Sequence, residues 1–178
     1  ISRFKRAKIC YPGGCNIGKR PIDIHIKCLK QIGIEVIEKE DYILCKSNKN
    51  TGGIVKLDFP SVGATENLMM LAVLLDGKTE ICNCAREPEI VDLMKFLNSL
   101  GAKIYGAGTS TILIEGVKRL KGKEFLPISD RIELETFMLA TSICGGELQL
   151  FNCNNKNICS FVHKFCDNTC KMYTKNDI

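Results

Sequence analysis

The chain repeats itself at a spacing of 69 residues, and this constrains its fold more than any other feature. Asp76-Gly-Lys-Thr-Glu-Ile-Cys-Asn-Cys84 answers to Gly145-Gly-Glu-Leu-Gln-Leu-Phe-Asn-Cys153, which pairs Gly77 with Gly146 and Asn83 with Asn152. Upstream, Leu29-Lys-Gln-Ile-Gly33 answers to Leu97-Asn-Ser-Leu-Gly101 at a spacing of 68, so a one-residue indel separates the two matches. The copies run over about 20–86 and 87–155, with a partial third over 156–178 in which Phe165 stands for Phe96. That third copy departs quickly, with Thr169 and Cys170 where a leucine and a glycine are expected. A repeat this long must be a supersecondary unit that buries its apolar face against its neighbours. It is too long for a solenoid of simple hairpins.

Each unit reads as helix, strand, helix, strand, strand. Residues 21–32 open with Pro21, carry Asp23 in the first turn and place Ile22, Ile26, Leu29 and Ile32 at helical spacing before Gly33. Residues 88–100 repeat the pattern from Pro88 to Leu100, ahead of Gly101. A second helix type is expected over Glu66–Leu75 and again over Ile132–Cys144. Short β-rich runs lie between: Ile34–Ile37, Tyr42–Cys45, Ile54–Leu57, Thr79–Cys84, Lys103–Tyr105, Thr111–Ile114 and Glu147–Phe151. Helices alternating with strands predict an α/β fold with parallel pairing, crossover helices and copies packed side by side around shared helices.

With 178 residues and 45% hydrophobic content, the chain can build one large domain or two modest ones, and 25% charge excludes disorder. The longest apolar run, Leu68–Leu75, is far too short to cross a bilayer and reads as a core helix. The opening Ile1-Ser-Arg-Phe-Lys-Arg lacks the apolar stretch of a signal peptide, and a start without Met suggests a processed chain or a piece of a longer one. Eleven cysteines, an odd number without Cys-x-x-Cys spacing, argue for a reducing compartment with mostly inert buried thiols. Cys82 and Cys84 are expected to share one strand face, as a core feature and not a zinc site.

Charge is unevenly placed. Residues 1–20 hold Arg3, Lys5, Arg6, Lys8, Lys19 and Arg20 and no acid, whereas the rest of the chain carries 19 basic and 20 acidic residues. This field suits a small anionic ligand as well as it suits a solvated basic edge. Only Phe4 and Tyr11 interleave it, so a nucleic-acid surface is the weakest reading. Within the field lies Tyr11-Pro-Gly-Gly-Cys-Asn-Ile-Gly-Lys-Arg-Pro21. Its glycines permit close approach to a ligand, and Lys19 and Arg20 favour thiolate at Cys15; a buried, inert Cys15 is about equally compatible with these features. In Pro60-Ser-Val-Gly-Ala-Thr-Glu66, small residues lead into a helix N-terminus. That is a phosphate-binding arrangement, although plain capping by Ser61 or Thr65 explains it more simply. Arg86-Glu-Pro-Glu-Ile-Val-Asp92 and Asp130-Arg-Ile-Glu133 read as acidic helix openings, and His25 as a hydrogen-bonded structural histidine.

The wording of five segments is more specific than their physics. Pro12-Gly-Gly-Cys-Asn-Ile-Gly-Lys-Arg-Pro-Ile-Asp-Ile-His25, Ser61-Val-Gly-Ala-Thr-Glu-Asn67, Ala85-Arg-Glu-Pro-Glu-Ile-Val-Asp92, Gly101-Ala-Lys-Ile-Tyr-Gly-Ala-Gly-Thr109 and Asp130-Arg-Ile-Glu133 occur in this order. From about Arg3 to Asn154 the chain resembles the UDP-N-acetylglucosamine 1-carboxyvinyltransferases, enolpyruvyl transferases that open peptidoglycan synthesis and are the targets of fosfomycin. The resemblance implies repeated βαβαββ units of the inverse α/β prism fold, with an incomplete first domain over 1–128 and the start of a second over 129–178. It implies phosphoenolpyruvate and UDP-N-acetylglucosamine as substrates, no cofactor, no metal, and a cytoplasmic enzyme that is monomeric at full length, without nucleic acid or membrane partners.

By the same resemblance, Cys15 is the general acid, able to form an adduct with phosphoenolpyruvate. Arg20 contacts phosphate, and Arg20, Pro21, Ile22, Asp23 and Ile24 line the nucleotide-sugar site. Ser61, Val62 and Gly63 hold the diphosphate. Phe59 and Pro60 stand where members of the family can carry Lys and Val. Those proteins are more than twice this long, and their further segments supply other substrate-binding residues and the base, so the chain alone is expected not to turn over. The sister enzymes that make enolpyruvylshikimate phosphate, and a non-catalytic binder of nucleotide sugars, are the alternatives.

Overall fold

The computed structural model describes residues 1–11 and 22–165. It falls into two compact units, Ile1–Leu126 and Pro127–Ile178. The first contains one complete βαβαββ arrangement, for which the elements are numbered along the whole chain. Strand β1 is Arg6–Cys10, helix α1 Asp23–Gln31, β2 Ile34–Glu38 and β3 Tyr42–Ser47. The complete arrangement follows as β4 (Ile54–Lys56), α2 (Val62–Ala72), β5 (Lys78–Cys82), α3 (Pro88–Ser99), β6 (Lys103–Tyr105) and β7 (Thr111–Glu115). Its sheet has the order β4-β5-β7-β6, and the other sheet, β1-β3-β2, copies the β5-β7-β6 part with α1 in the place of α3.

The expected parallel pairing holds only where a helix makes the crossover. β4 and β5, joined through α2, are parallel. The other strand pairs, β1–β3, β2–β3, β5–β7 and β6–β7, are antiparallel. The reason lies in the connections: β2–β3 and β6–β7 are joined by short turns, and a short turn can only return the chain antiparallel.

The sequence repeat survives as backbone conformation. Gly33 and Gly101 have φ of 82° and 100°, Gly77 and Gly146 of 84° and 110°. Asn83 and Asn152 take φ of 56° and 57°, a left-handed conformation that asparagine tolerates better than most side chains. Asn83 also donates from Nδ2 to the Leu57 carbonyl at 2.9 Å. Its turn ends β5 at Cys82, which corrects the expectation that Cys82 and Cys84 share a strand face. Cys84 instead leaves the strand, is buried, and donates from Sγ to the Ile81 carbonyl at 3.4 Å.

Helix α2 is the centre of the first unit. Ala64, Thr65, Leu68, Met69, Leu71 and Ala72 are all buried and form one broad face, while Asn67 and Met70 on the opposite face are exposed. It packs against α1 and α3. One core joins it to Ile26 and Cys28 of α1, Ile34, Ile43 and Cys45 of one sheet, Val55, Ile81, Ile112 and Ile114 of the other, and Ile90 and Leu97 of α3. The expected packing around shared helices is therefore present.

Two corrections concern the ends of α2. It begins at Val62 and not at Glu66, with Ser61 as the cap residue. Thr65 lies inside the helix, fully buried, where its Oγ1 donates to the Ser61 carbonyl at 2.8 Å and accepts from the Ala85 N–H at 3.1 Å. At the other end the Val117 N–H donates to the Val73 carbonyl at 2.8 Å and Asn50 Nδ2 to the Leu74 carbonyl at 3.2 Å. These bonds satisfy carbonyls that a helix end leaves open. The approach is so close that a Cβ on Gly116 would stand 1.5 Å from the Leu75 carbonyl oxygen.

In the second unit, α4 (Arg131–Cys144) is capped by Asp130, whose Oδ1 accepts from the Ile132 and Glu133 N–H groups at 2.8 and 3.2 Å. A 3-10 turn (Asn155–Asn157) and a short helix α5 (Cys159–Phe165) follow. The strand expected over Glu147–Phe151 is absent. Its counterpart β5 is held between β4 and β7, whereas no described residue pairs with 147–151. The thiols expected to be mostly buried are divided among the described residues: Cys28, Cys45 and Cys84 are buried, Cys82 and Cys153 half-buried, and Cys10, Cys144 and Cys159 exposed.

Thr65→Val keeps the volume of a buried side chain and removes the acceptor of the Ala85 N–H. It is expected to cost about 1–3 kcal/mol in urea unfolding, with Thr65→Ser less damaging in hydrogen bonding; equal stability of the Thr65→Val variant and wild type would show the bond to be dispensable. Leu68→Ala should cost about 2–5 kcal/mol, since Leu68 is buried in the core between packed elements that cannot fully close on the cavity.

Candidate functional site

Of the substrate-site residues expected from sequence, the described ones lie at two helix starts. Cys15, Arg20 and Pro21 fall outside the described residues. Ile22 is the cap position of α1, with φ −120° and ψ 9° and no side-chain cap. Ile22 and Ile24 are half-buried and pack against the core, which fixes the first turn from below. Asp23 between them is exposed, on the first turn where a carboxylate suits the helix dipole.

Ser61, Val62 and Gly63 form the start of α2 and are all half-buried. Ser61 is extended, with φ −78° and ψ 123°, and its Oγ accepts from the Ala64 N–H at 3.3 Å. The cap thus engages Ala64, and the N–H groups of Val62 and Gly63 take no partner from it. Capping and anion binding, alternatives in the sequence, do not exclude each other here: the hydroxyl secures the turn through Ala64, and among the described residues no hydrogen bond engages the backbone N–H groups of Val62 and Gly63.

His25 brings the two starts together. Asn67, one and a half turns into α2, lies 2.9 Å from His25 through its Nδ2 and the ring Nδ1. An amide N–H can only donate, so Nδ1 accepts and the neutral ring carries its proton on Nε2. The ring also faces Gly63, where a Cβ would stand 3.4 Å from Cε1. His25 is thus hydrogen-bonded, as its sequence setting suggested. Asn67 is the residue that sequence reasoning passed over, although an exposed asparagine inside an apolar helix is a poor helix former and a signal in itself.

The start of α3 also approaches. Burial, and after it the carboxylate of Glu89 in the first turn of α3, raises the pKa of Glu66. Burial raises the thiol pKa of Cys28, Cys45, Cys82 and Cys84, which disfavours their reactive thiolate form. Of the basic segment, Arg6 and Lys8 lie on β1, with the Lys8 ammonium 4.0 Å from the centre of the Tyr42 ring. An open cavity in the second unit, lined in part by Asn152, Cys153 and Lys156, contains none of the residues singled out. No helix among the described residues is long and apolar enough to cross a membrane.

Burial lowers the His25 pKa below its ordinary value of about 6.5, and Asp23 pulls it partly back. Between 6.5 and the lower folded value the unfolded chain binds more protons than the folded one. Stability contributed by the neutral ring is therefore complete above that window and declines as pH falls through it. His25→Asn keeps an acceptor for Asn67 and cannot titrate. Its melting temperature should lose this part of the decline below about pH 6.5, and an unaltered pH profile would assign the decline to other groups.

Comparison with known proteins extends this picture. The family model for EPSP synthase (3-phosphoshikimate 1-carboxyvinyltransferase) matches residues 1–173. UDP-N-acetylglucosamine 1-carboxyvinyltransferase 2 of Clostridium tetani is 51% identical over 177 residues, which are 99% of this chain and 42% of that protein. The protein of the same name from Caldanaerobacter subterraneus is 49% identical with the same coverage. The chain spans about two fifths of the length of these curated relatives. Among solved structures, the enolpyruvyl transferase NikO from Streptomyces tendae superposes with a TM-score of 0.64 at 20% identity, over 78% of this chain and 34% of that one. EPSP synthase from Acinetobacter baumannii does so with a TM-score of 0.58 at 19% identity, over 76% and 31%. At such identities these structures speak for the fold alone, and they agree with the repeated βαβαββ, α/β architecture described above. With the family model covering nearly every residue and the complete βαβαββ arrangement of β4 to β7 in view, the chain belongs to the EPSP synthase family.

Proposed function

We propose that this chain is part of an enzyme that transfers enolpyruvyl from phosphoenolpyruvate to the 3′-hydroxyl of UDP-N-acetylglucosamine, with release of phosphate. The observation that carries the reading is the identity of 45–51%, over 91–99% of the chain, to six proteins bearing that enzyme's name. The geometry supports it. Val62 and Gly63 offer backbone N–H groups at the positive end of α2, suited to a diphosphate, and the first turn of α1 with Ile22, Asp23 and Ile24 stands beside them through His25.

In this reading the sugar hydroxyl, giving up its proton, adds to C2 of phosphoenolpyruvate while C3 takes a proton, and loss of phosphate from C2 together with a proton from C3 restores the double bond. Cys15 supplies the proton as general acid, and Lys19 and Arg20, close to it in sequence, favour the thiolate left once the proton is given, before Cys15 is reprotonated for the next turnover. Arg20 pairs with phosphate, and Arg20–Ile24 line the nucleotide sugar. No cofactor is needed, since every step is a proton transfer, an addition or an elimination. Residues 1–128 then belong to a first domain and 129–178 to the beginning of a second, in a cytoplasmic, monomeric enzyme at the first committed step of peptidoglycan synthesis. The name of the matching family model favours one second reading, transfer to shikimate 3-phosphate.

A chimera decides between them: residues 1–178 replacing the matching segment of the Clostridium tetani protein, to which they are 51% identical. Phosphate release with phosphoenolpyruvate and UDP-N-acetylglucosamine is the expected result, and release with shikimate 3-phosphate alone would establish the second reading. Cys15→Ala in the chimera should lower the rate by about 10²-fold or more. Fosfomycin should alkylate Cys15 selectively, as seen by peptide mass; uniform labelling of all thiols, or none, would remove Cys15 from the chemistry.

A further inference from the structure

The two helix starts of the proposed nucleotide-sugar site come from separate stretches of chain, and something must hold them at a fixed spacing. At its far end α1 is tied to β4 by Gln31, whose Nε2 donates to the Lys56 carbonyl at 3.0 Å and whose Oε1 accepts from the Lys56 N–H at 2.8 Å. The exposed ion pair of Lys27 with Asp58 lies on the same side. These ties hold the later part of α1 to β4; its first turn rests on the core through Ile22 and Ile24, which leaves the side of that turn facing the start of α2 to be aligned otherwise. At that end the hydrogen bond from Asn67 Nδ2 to His25 Nδ1, at 2.9 Å, links α1 to α2. The same ring stands beside Gly63, with 3.4 Å from Cε1 to the place a Cβ would take, so one side chain lies next to the first turn of α2 and is hydrogen-bonded a turn further on.

We propose that His25 and Asn67 form a clasp that sets the spacing between Ile22–Ile24 and Ser61–Gly63, which makes His25 a positioning residue for the nucleotide sugar. The proposal rests on the reading of the site given above. The clasp has a property that separates it from a core contact: Asn67 is exposed, so water replaces the lost partner when the bond is broken, and the fold loses little. What is lost is alignment of two binding segments, and a small misplacement of such groups is costly in binding.

The test uses the chimera. His25→Leu and Asn67→Ala should each raise KM for UDP-N-acetylglucosamine about tenfold, with kcat held within about twofold and the melting temperature nearly unmoved. His25→Asn, whose Oδ1 takes the place of Nδ1, should recover most of the loss. The double variant His25→Leu with Asn67→Ala should be no worse than either single one, because both remove the same bond. An unmoved KM, additive effects, or kcat and melting temperature falling together would overturn the clasp. Absence of turnover with UDP-N-acetylglucosamine in the parent chimera overturns the underlying reading and the role of His25 with it, whereas turnover in the parent with unmoved KM in the variants overturns the clasp alone.

Discussion

Burial of one broad face of α2 is the interaction on which the rest of the first unit depends. A fully buried leucine or methionine contributes roughly 1.5–3 kcal/mol relative to exposure, and Leu68, Met69 and Leu71 of α2 are all buried. That face needs partners, and α1, α3, β5 and β7 pack against the helix within one continuous core. The repeat makes this possible, because copies of one unit present similar apolar faces that can close around a shared helix.

Burying a helix body exposes a problem at its ends, and the chain solves it differently at each. At the C-terminal end, backbone and amide donors from Val117 and Asn50 reach the last carbonyls, over a glycine that alone allows the approach. At the N-terminal end, Ser61 secures one N–H and Thr65 bonds back to the Ser61 carbonyl while also holding the Ala85 N–H. Among the described residues no hydrogen bond engages the N–H groups of Val62 and Gly63. In the proposed reading these two donors meet the diphosphate, and the packing of the buried face of α2 preorganises them.

Much of this was legible in the chain. Gly33, Gly77 and Asn83 and their counterparts stood at repeat spacing because left-handed backbone restricts which residues can serve there, and restriction leaves a trace in sequence. The apolar run Leu68–Leu75 announced a core helix, whose last turn ends at Ala72. Its true start at Val62 was harder to read, since Ser61 and Thr65 are both capable caps and only burial assigns Thr65 to the interior. Strand direction was misjudged, because alternation of helices and strands does not show which connections are crossovers and which are hairpins. The missing strand at 147–151 follows from the same limit: β propensity is local, but a strand exists only where another strand pairs with it.

By itself the sequence determined the repeat, the unit order, the core helix and the words that mark the family, since all of these are encoded in local spacing and side-chain type. Tertiary structure alone decided that His25 meets Asn67 and that the starts of α1 and α2 lie side by side. Contacts between residues far apart in the chain depend on how helices pack, and packing is set by the sum of many weak apolar contacts that no single position records.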